Sequence, residues 1–276
     1  MLNTLTTHTT GATASASPCQ AAAPAATAGR LRVAQAIAHT LELAERKLPL
    51  TRKVLHAGEA VYRAGEALQC LYLVNSGLFK TVSLAVDGRE QVASLHFKGD
   101  WLGFDGIAEA QHGCEAVAMD VGEIWCVRYD DLMQACAKDL SVMALLNSAM
   151  SRQITCSRDS ILSLCTLPAD ARVADFLRFW AQALADRGLR TDQITLCMTR
   201  AEMGNHLGMK LETVSRALSR LAREGVITFA ATGRRELQIN DVQALADEVV
   251  HLQAGRVEAR HERLHGHPEA QEINAA

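Results

Sequence analysis

The spacing of apolar residues divides the chain into helical and extended regions. Between residues 52 and 129, apolar and polar positions come in short runs separated by glycines, which is typical of a β-sandwich or barrel. Outside that region, apolar residues recur every three or four positions, as they do along the buried face of a helix. The helices predicted from this spacing cover residues 31–48, 130–165 and 169–187. The pattern therefore predicts an α+β chain with its sheets in the N-terminal half.

The extended region contains candidate strands at residues 60–62, 71–76, 78–85, 91–97 and 123–128. Asp87-Gly88 lies between the third and the fourth of them, and this dipeptide is a strong signal for the tight turn of a β-hairpin. The region is therefore predicted to contain short strands, of which the third and the fourth pair as an antiparallel hairpin.

The predicted helix at residues 130–165 carries a heptad repeat. Its seam steps by three and four residues through Leu140, Met143, Asn147, Met150, Ile154, Ser157, Ile161 and Leu164. Such a repeat is typical of paired helices, and the polar Asn147 at an a-type position favours a fixed register and two strands. We therefore interpret this segment as the dimerisation helix of a homodimer. The alternative is a helix whose seam packs against its own domain.

Two helices joined by a tight turn are predicted between residues 199 and 224. Thr199 followed by Glu202 has the spacing of a capping box, which begins a helix. Gly208 follows this short helix at a corner where a residue without Cβ can turn the chain. The second helix begins at about residue 211 and has an apolar face of Leu211, Val214, Leu218 and Leu221.

The other face of this second helix carries groups that can read the major groove of DNA. Arginine can bond bidentately to guanine, a carboxylate can accept from the cytosine amino group, and serine can bond to either kind of group. Glu212, Ser215 and Arg216 lie at i, i+3 and i+4 and therefore share one surface. A helix-turn-helix places such residues against base edges. The alternative is an amphipathic helical hairpin with a solvated charged face.

A hinge and a β-hairpin flank the predicted helix pair. Leu167-Pro168 marks the boundary between domains, because proline disfavours helix in the residue before it. After the second helix, residues 226–229 and 237–239 are predicted as the two strands of a wing with Gly233 in its turn. The complete set of candidate DNA contacts is Thr199, Arg200, Lys210, Glu212, Thr213, Ser215, Arg216, Arg220, Arg234 and Arg235.

Charge and cysteine usage agree with a DNA-binding protein of the cytoplasm. The net charge is −3, but residues 199–237 contain seven basic and four acidic side chains, a local excess of positive charge suited to phosphates. The sequence lacks a run of about 18 apolar residues and a secretory signal, which predicts no membrane span and a cytoplasmic location. The eight cysteines are scattered without a C-x-x-C pair, so we expect reduced thiols.

Both ends of the chain have low-complexity or polar composition. Residues 1–29, rich in Ala, Thr and Ser, and residues 251–276, charged and polar, are predicted to be disordered. His261, His265 and His267 in the second segment have a spacing that could bind a metal, but a solvated tail is the preferred interpretation.

Several segments resemble the CRP/FNR family of bacterial transcription regulators. The stretch M-T-R-A-E-M-G-N-H-L-G-M-K-L-E-T-V-S-R-A-L is similar to the DNA-binding signature of that family, and its E-x-x-S-R triplet is similar to the FNR branch. Lys210 departs from the threonine often found at that helix cap. The segments A-G-E-A-V-Y-R-A-G-E, L-Y-L-V-N-S-G-L-F-K and F-K-G-D-W-L-G-F-D resemble the family's β-roll sensor domain. The resemblance spans residues 50 to 250.

The resemblance implies a domain layout and partners. Residues 30–129 would form a cyclic-nucleotide-binding-like β-roll, a jelly roll, residues 130–165 the dimerisation helix, and residues 166–250 a winged helix-turn-helix. A homodimer would then bind palindromic double-stranded DNA with TTGAT-type half-sites. By resemblance alone, the surface near Asp87-Gly88-Arg89 would contact RNA polymerase, and the signal would be oxygen, nitric oxide or redox state, or none.

The residues of the sensor domain do not match a known cofactor site. Cys126 in G-E-I-W-C-V-R-Y-D-D-L is similar to the β-domain cysteine that holds the iron–sulfur cluster of FNR, but in the N-terminal region only Cys19 is available. Because such clusters usually need four thiolates, no cluster is predicted. The family's cyclic-nucleotide motif of Gly-Glu followed by Arg-Ser or Arg-Thr is not matched either.

Other ligands and other classes of protein stay open. Haem would have candidate axial ligands in His56, His96 and His112, and a thiol switch would have candidates in Cys114 and Cys126. A β-roll is also shared with metal-dependent cupin enzymes, and a regulatory module for a protein partner is a third class. The helix-turn-helix with its wing favours a DNA-binding regulator that is not an enzyme.

Overall fold

The computed structural model describes the backbone of residues 22–84, 88, 90–191, 193–230 and 236–265, and side chains between residues 32 and 254 of that range. The described residues form an N-terminal part rich in β-strands and a mainly helical C-terminal part, joined by long helices. In the described residues, no helix is long and apolar enough to cross a membrane.

The N-terminal part is built from eight short strands in two antiparallel sheets. The strands are β1 (Thr51–Leu55), β2 (Ala60–Tyr62), β3 (Cys70–Ser76), β4 (Phe79–Leu84), β5 (Glu90–His96), β6 (Trp101–Leu102), β7 (Glu115–Ala118) and β8 (Gly122–Arg128). One sheet has the order β1-β8-β3-β6 and the other the order β2-β7-β4-β5. Apolar side chains from both sheets fill the space between them, including Phe79, Leu102 and Ile124. This arrangement confirms the predicted β-roll.

All five predicted strands are present, with boundaries shifted by at most one residue. The antiparallel pairing of β4 with β5 confirms the predicted hairpin, although Asp87 lies outside the described residues. Strands β1, β6 and β7 were not predicted from the sequence. β1 is polar along most of its length, β6 has two residues, and β7 has the small residues Ala116 and Ala118 on its buried face, so none carries a strong strand signal.

Three helices pack on the outer face of the first sheet. They are α1 (Ala22–Lys47), α2 (Tyr129–Lys138) and α3 (Leu140–Thr166). Leu41 and Ala44 of α1 are buried in one apolar cluster with Trp101 and Trp125 of the sheet, and α2 and α3 contribute side chains to the same cluster. The predicted disorder of residues 1–29 is wrong for residues 22–29, which are helical. Alanine has the highest helix propensity, and a proline is tolerated in the first turn.

The single helix predicted at residues 130–165 is also wrong, because the chain breaks at Asp139. This residue has extended backbone angles, and its carboxylate accepts hydrogen bonds from the backbone N–H and the hydroxyl of Ser141. Asp139 therefore caps the N-terminus of α3, and its pKa is held at about 2 by these hydrogen bonds and by Lys47.

The C-terminal part combines four helices with a small sheet. Its elements are α4 (Ala169–Ala185), β9 (Gln193–Thr195), α5 (Arg200–His206), α6 (Leu211–Arg223), β10 (Ile227–Phe229), β11 (Glu236–Ile239) and α7 (Val242–His265). The strands have the order β10-β11-β9, and the pairing of β10 with β11 confirms the predicted wing strands. The apolar core of the C-terminal part includes Leu177, Trp180, Met203 and Leu218.

The C-terminal tail is more ordered than predicted. Helix α7 continues to His265, so the predicted disorder from residue 251 is wrong as far as that residue. Residues 252–264 are rich in Ala, Leu, Gln, Glu and Arg, which favour helix. His261 and His265 belong to this helix, and His267 lies outside the described residues.

Candidate nucleic-acid interface

The first helix of the pair begins with the capping box that the sequence predicts. The Thr199 hydroxyl oxygen accepts a hydrogen bond from the Glu202 backbone N–H at 3.2 Å, and Glu202 Oε2 accepts from the Thr199 N–H at 2.7 Å. Because both groups are satisfied reciprocally, the first turn of α5 is fixed where it leaves the preceding loop.

The turn between α5 and α6 depends on two glycines and one arginine. Gly208 has a φ of 61°, which confirms its predicted place at the corner, since side chains other than glycine rarely adopt such angles. A Cβ on Gly204 would lie 2.6 Å from the Met209 carbonyl oxygen, so only glycine allows this close approach. Arg172 of α4 donates to the Leu207 carbonyl at 2.6 Å. Arg172 was not among the predicted residues, because its neighbours in the sequence give no signal of this contact.

Helix α6 buries one face and exposes the polar one. Val214, Leu218 and Leu221 are buried, as predicted, whereas Leu211, predicted to be buried, is exposed at the first residue of the helix. Glu212 and Arg216 are exposed, and Ser215 and Thr213 are half-buried beside them. The predicted triplet therefore lies on one accessible surface near the N-terminal end of the helix.

An open concavity of about 640 Å³ runs beside this surface. Its lining includes Ser215, Arg216 and Arg223 of α6 and Asp170 of α4. Two exposed guanidinium groups here can meet phosphates or base edges, in keeping with the local excess of positive charge.

Arg220 lines the same concavity and also forms ion pairs within the chain. Its guanidinium lies 2.6 Å from Asp170 Oδ2 of α4 and 3.6 Å from Glu248 Oε1 of α7, and its side chain is 24% exposed. Arg220 therefore ties α6 to two neighbouring helices. Both carboxylates belong to distant parts of the chain, so a helical-face argument does not reveal these ion pairs, and the DNA contact of Arg220 stays a prediction.

The remaining candidate contacts surround the helix pair. Lys210 is exposed at the N-cap of α6 and makes no side-chain capping bond, as predicted. The Arg200 guanidinium lies 5.6 Å from the ring centre of Phe229 in β10, a cation–π contact that joins α5 to the wing. Arg234 and Arg235 lie outside the described residues.

The heptad seam on α3 faces away from its own chain. Leu140 is 82% exposed, Ile154 69% and Ile161 61%. Met143, Asn147, Ser157 and Leu164 are also exposed, and Met150 is half-buried. Intramolecular packing instead uses a different face of the helix, formed by Val142, Leu145, Leu146 and Ala149. The α3 seam, defined by the eight predicted residues, is thus available to a partner.

The candidate switch cysteine Cys114 belongs to a hydrogen-bonded cluster inside the β-roll. Its thiol donates to Asp105 Oδ2 at 3.3 Å, and the Tyr62 hydroxyl donates to Asp105 Oδ1 at 3.2 Å. Burial, followed by the charge of Asp105, raises the pKa of Cys114 to about 12. Because the thiolate is the reactive form of cysteine, this environment disfavours a thiol switch at Cys114.

Cys126 lies on β8 opposite Tyr72 of β3 and is half-buried. Burial and its hydrogen bond with the Cys70 thiol raise the pKa of Cys126 to about 12, which likewise disfavours a thiolate. Cys19 lies outside the described residues. Within the part of the chain that the structure describes, no group of three or more His, Cys, Asp or Glu is placed to hold a metal ion.

The three candidate haem ligands occupy different environments. His56 is exposed, and its backbone N–H donates to Glu59 Oε2 at 2.7 Å. His96 and His112 are both buried. The His112 ring stacks on the Tyr62 ring, and the two ring centres are 3.7 Å apart. Burial lowers the pKa of both buried histidines. Haem stays an open alternative, with these three histidines as its candidate ligands.

Comparison with known families matches both parts of the chain. Residues 52–139 match the cyclic nucleotide-binding domain, and residues 171–248 match the Crp-like helix-turn-helix domain. A β-roll joined to a winged helix-turn-helix with an accessible polar second helix defines a regulator of the DNA-binding class.

Curated relatives and a solved structure give the family. The chain is 32% identical over 203 residues to the anaerobic regulatory protein of Aggregatibacter actinomycetemcomitans, covering 74% of this chain and 76% of that protein. It is 30% identical over 207 residues to the fumarate and nitrate reduction regulatory protein of Escherichia coli K12, covering 75% and 80%. The structure of FixK2 from Bradyrhizobium japonicum has a TM-score of 0.65 at 29% identity, covering 72% of this chain and 97% of that one. The chain belongs to the CRP/FNR family of transcription regulators, as its motifs indicate.

Proposed function

We propose that this regulator acts as a homodimer that binds palindromic DNA with TTGAT-like half-sites. The observation that carries the proposal is the accessible surface of α6, where Glu212 and Arg216 are exposed next to Ser215. The two relatives reported above are named anaerobic regulatory protein and fumarate and nitrate reduction regulatory protein.

Each side chain of the triplet has a distinct role in this proposal. Arg216 binds guanine O6 and N7 bidentately, Glu212 accepts from a cytosine amino group, and Ser215 bonds to a neighbouring base. Thr199, Arg200 and Lys210 lie at the N-termini of α5 and α6, where backbone N–H groups and positive charge suit phosphates. These contacts position the protein, whereas the triplet supplies sequence discrimination.

The exposed seam of α3 supports the dimer. A second copy of α3 would cover Leu140, Ile154 and Ile161, which water otherwise surrounds. A two-fold dimer places its recognition helices about one DNA turn apart, about 34–36 Å, and thereby selects a palindrome.

The environments of the two candidate switch cysteines favour DNA binding that does not depend on either of them. Cys114 and Cys126 have pKa values raised to about 12, and only Cys19 stands in the N-terminal region where cluster ligands occur in FNR. We therefore propose binding that is the same before and after exposure to air. The turn near Gly88 is proposed, by resemblance, as the contact with RNA polymerase.

Fluorescence anisotropy tests this proposal. An anaerobic preparation is titrated against a TTGAT…ATCAA duplex and a scrambled duplex at fixed salt, because affinity for DNA depends steeply on ions. We expect preference for the palindrome, unchanged after air exposure. Equal affinity for the two duplexes contradicts sequence-specific binding, and loss of binding in air contradicts the oxygen-independent part.

A further inference from the structure

The free edge of the sensor sheet is bound by side chains of the helix-turn-helix. Strand β5 lies at the edge of the sheet β2-β7-β4-β5, and such strands leave backbone N–H and C=O groups without a neighbour. Here the Val92 N–H donates to Asn205 Oδ1 at 2.7 Å, and Asn205 Nδ2 donates to the Glu90 carbonyl. The carboxamide of Asn205 therefore takes the place that the peptide group of a next strand would have.

Other side chains on the same face of α5 reinforce this contact. His206 Nδ1 lies 3.0 Å from the Val92 carbonyl oxygen, to which it can donate. Glu202 Oε1 lies 2.5 Å from Lys80 Nζ of β4, while Oε2 of the same carboxylate closes the capping box. Glu202, Asn205 and His206 are spaced i, i+3 and i+4, so one face of α5 meets the sheet. We call these α5 contacts with β4 and β5 the latch.

Apolar packing makes the latch part of a continuous core. Val82, Val92 and Phe97 of the sensor domain are buried in the same cluster as the core of the DNA-binding domain. Beside them, the Arg187 guanidinium lies 4.9 Å from the ring centre of Phe97 and pairs with Asp100 at 3.0 Å. The two domains are thus joined by hydrogen bonds, charge and apolar area, and not only by the chain at Pro168.

The latch leaves the recognition surface free. Glu212 and Arg216 of α6 are exposed in the same structure in which the latch holds α5. Gly204 of α5 closely approaches Met209 in the turn before α6 and accepts a hydrogen bond from its backbone N–H at 2.8 Å, so we expect a movement of α5 to move α6 as well.

We propose that the latch sets the orientation of the DNA-binding domain on the sensor β-roll, so that a displacement of strand β5 is transmitted through α5 to the recognition helix. The proposal rests on the DNA-binding function proposed above. Breaking the latch frees the orientation of each DNA-binding domain. Two recognition helices must then be ordered at the moment of binding, which costs affinity for a palindrome but not for a single half-site.

Hydrogen exchange followed by mass spectrometry tests the contact without DNA. Asn205→Ala removes the acceptor of the Val92 N–H, and we expect exchange in residues 90–96 to accelerate about tenfold. Lys80→Ala weakens the latch from the sensor side and should accelerate exchange in α5. The control is Gln182→Ala, which removes a carboxamide whose hydrogen bond to Asp186 stays within α4 and its C-cap. Equal exchange of residues 90–96 in wild type and Asn205→Ala overturns the latch.

Anisotropy with a palindrome and with a single half-site duplex tests the coupling in the full-length protein. We expect Asn205→Ala and Lys80→Ala to weaken palindrome binding about tenfold with half-site binding unchanged. Faster exchange together with unchanged palindrome affinity overturns the orienting role. If the wild type binds palindromic and scrambled DNA equally, the proposed sequence-specific DNA binding is refuted. The hydrogen-exchange result still shows whether Asn205 protects the edge of β5.

Discussion

Replacement of Arg216 by alanine probes the base-reading surface directly. The side chain is exposed on α6, and among the described residues it takes part in no ion pair, so its loss should change the free energy of unfolding by less than about 0.5 kcal/mol. A bidentate arginine–guanine contact contributes about 1–3 kcal/mol of discrimination. A palindrome contains two such contacts, far apart, so their effects add to about 2–6 kcal/mol.

The expected loss is large enough to measure by anisotropy. It corresponds to a decrease of at least about thirtyfold in the preference for the palindrome over scrambled DNA. Arg216→Lys is the matched control, because it keeps the positive charge but not the planar fork. We expect it to retain binding to scrambled DNA while losing most of the preference. An Arg216→Ala variant that loses affinity equally for both duplexes would assign Arg216 to phosphate contact and refute its role in base reading.

Three further predictions test separate parts of the structure. Arg220→Ala leaves two carboxylates on neighbouring helices without their partner, so it should lower the free energy of unfolding by about 1–3 kcal/mol in chemical denaturation and retain DNA discrimination. Ile154→Glu introduces a charge into the α3 seam and should give a monomer in sedimentation velocity. Burial lowers the pKa of His96, His112 and His206. Below about pH 6.5 the unfolded state therefore binds more protons than the folded state. We expect the melting temperature to decrease when the pH is lowered from about 7.5 to about 5.5.

Each of these predictions has its own control or contrary result. Arg223→Ala, at an exposed position on the same helix, should leave the free energy of unfolding unchanged. If Arg220→Ala instead keeps full stability and loses discrimination between the duplexes, Arg220 contacts DNA. Ser148→Glu, exposed and outside the seam, should remain a dimer, whereas a dimeric Ile154→Glu protein contradicts the seam. A melting temperature that rises on acidification to pH 5.5 contradicts neutral buried histidines.

Features encoded by neighbouring residues could be predicted from the sequence. The capping box at Thr199 and Glu202, the corner at Gly208 and the polar face of α6 each depend on residues a few positions apart. The break at Asp139 was missed although its signal, a capping carboxylate two residues before Ser141, is local.

Features that depend on distant residues could not be predicted in this way. The partners of Arg220 lie on α4 and α7, and the latch joins Val92 to Asn205 across 113 positions of the chain. No periodicity or motif connects these residues, since their proximity results from how the domains pack. The pKa values of Cys114 and Cys126 likewise depend on burial, which the sequence does not show for an individual cysteine.

The central claim is that two copies of this chain read one palindrome. Sedimentation velocity of the wild-type protein with a TTGAT…ATCAA duplex, and with the same duplex carrying one scrambled half-site, tests it most directly. We predict a complex of two chains with one palindromic duplex and a large loss of affinity when one half-site is scrambled. A complex of one chain with one duplex, or equal affinity for both duplexes, would contradict the account.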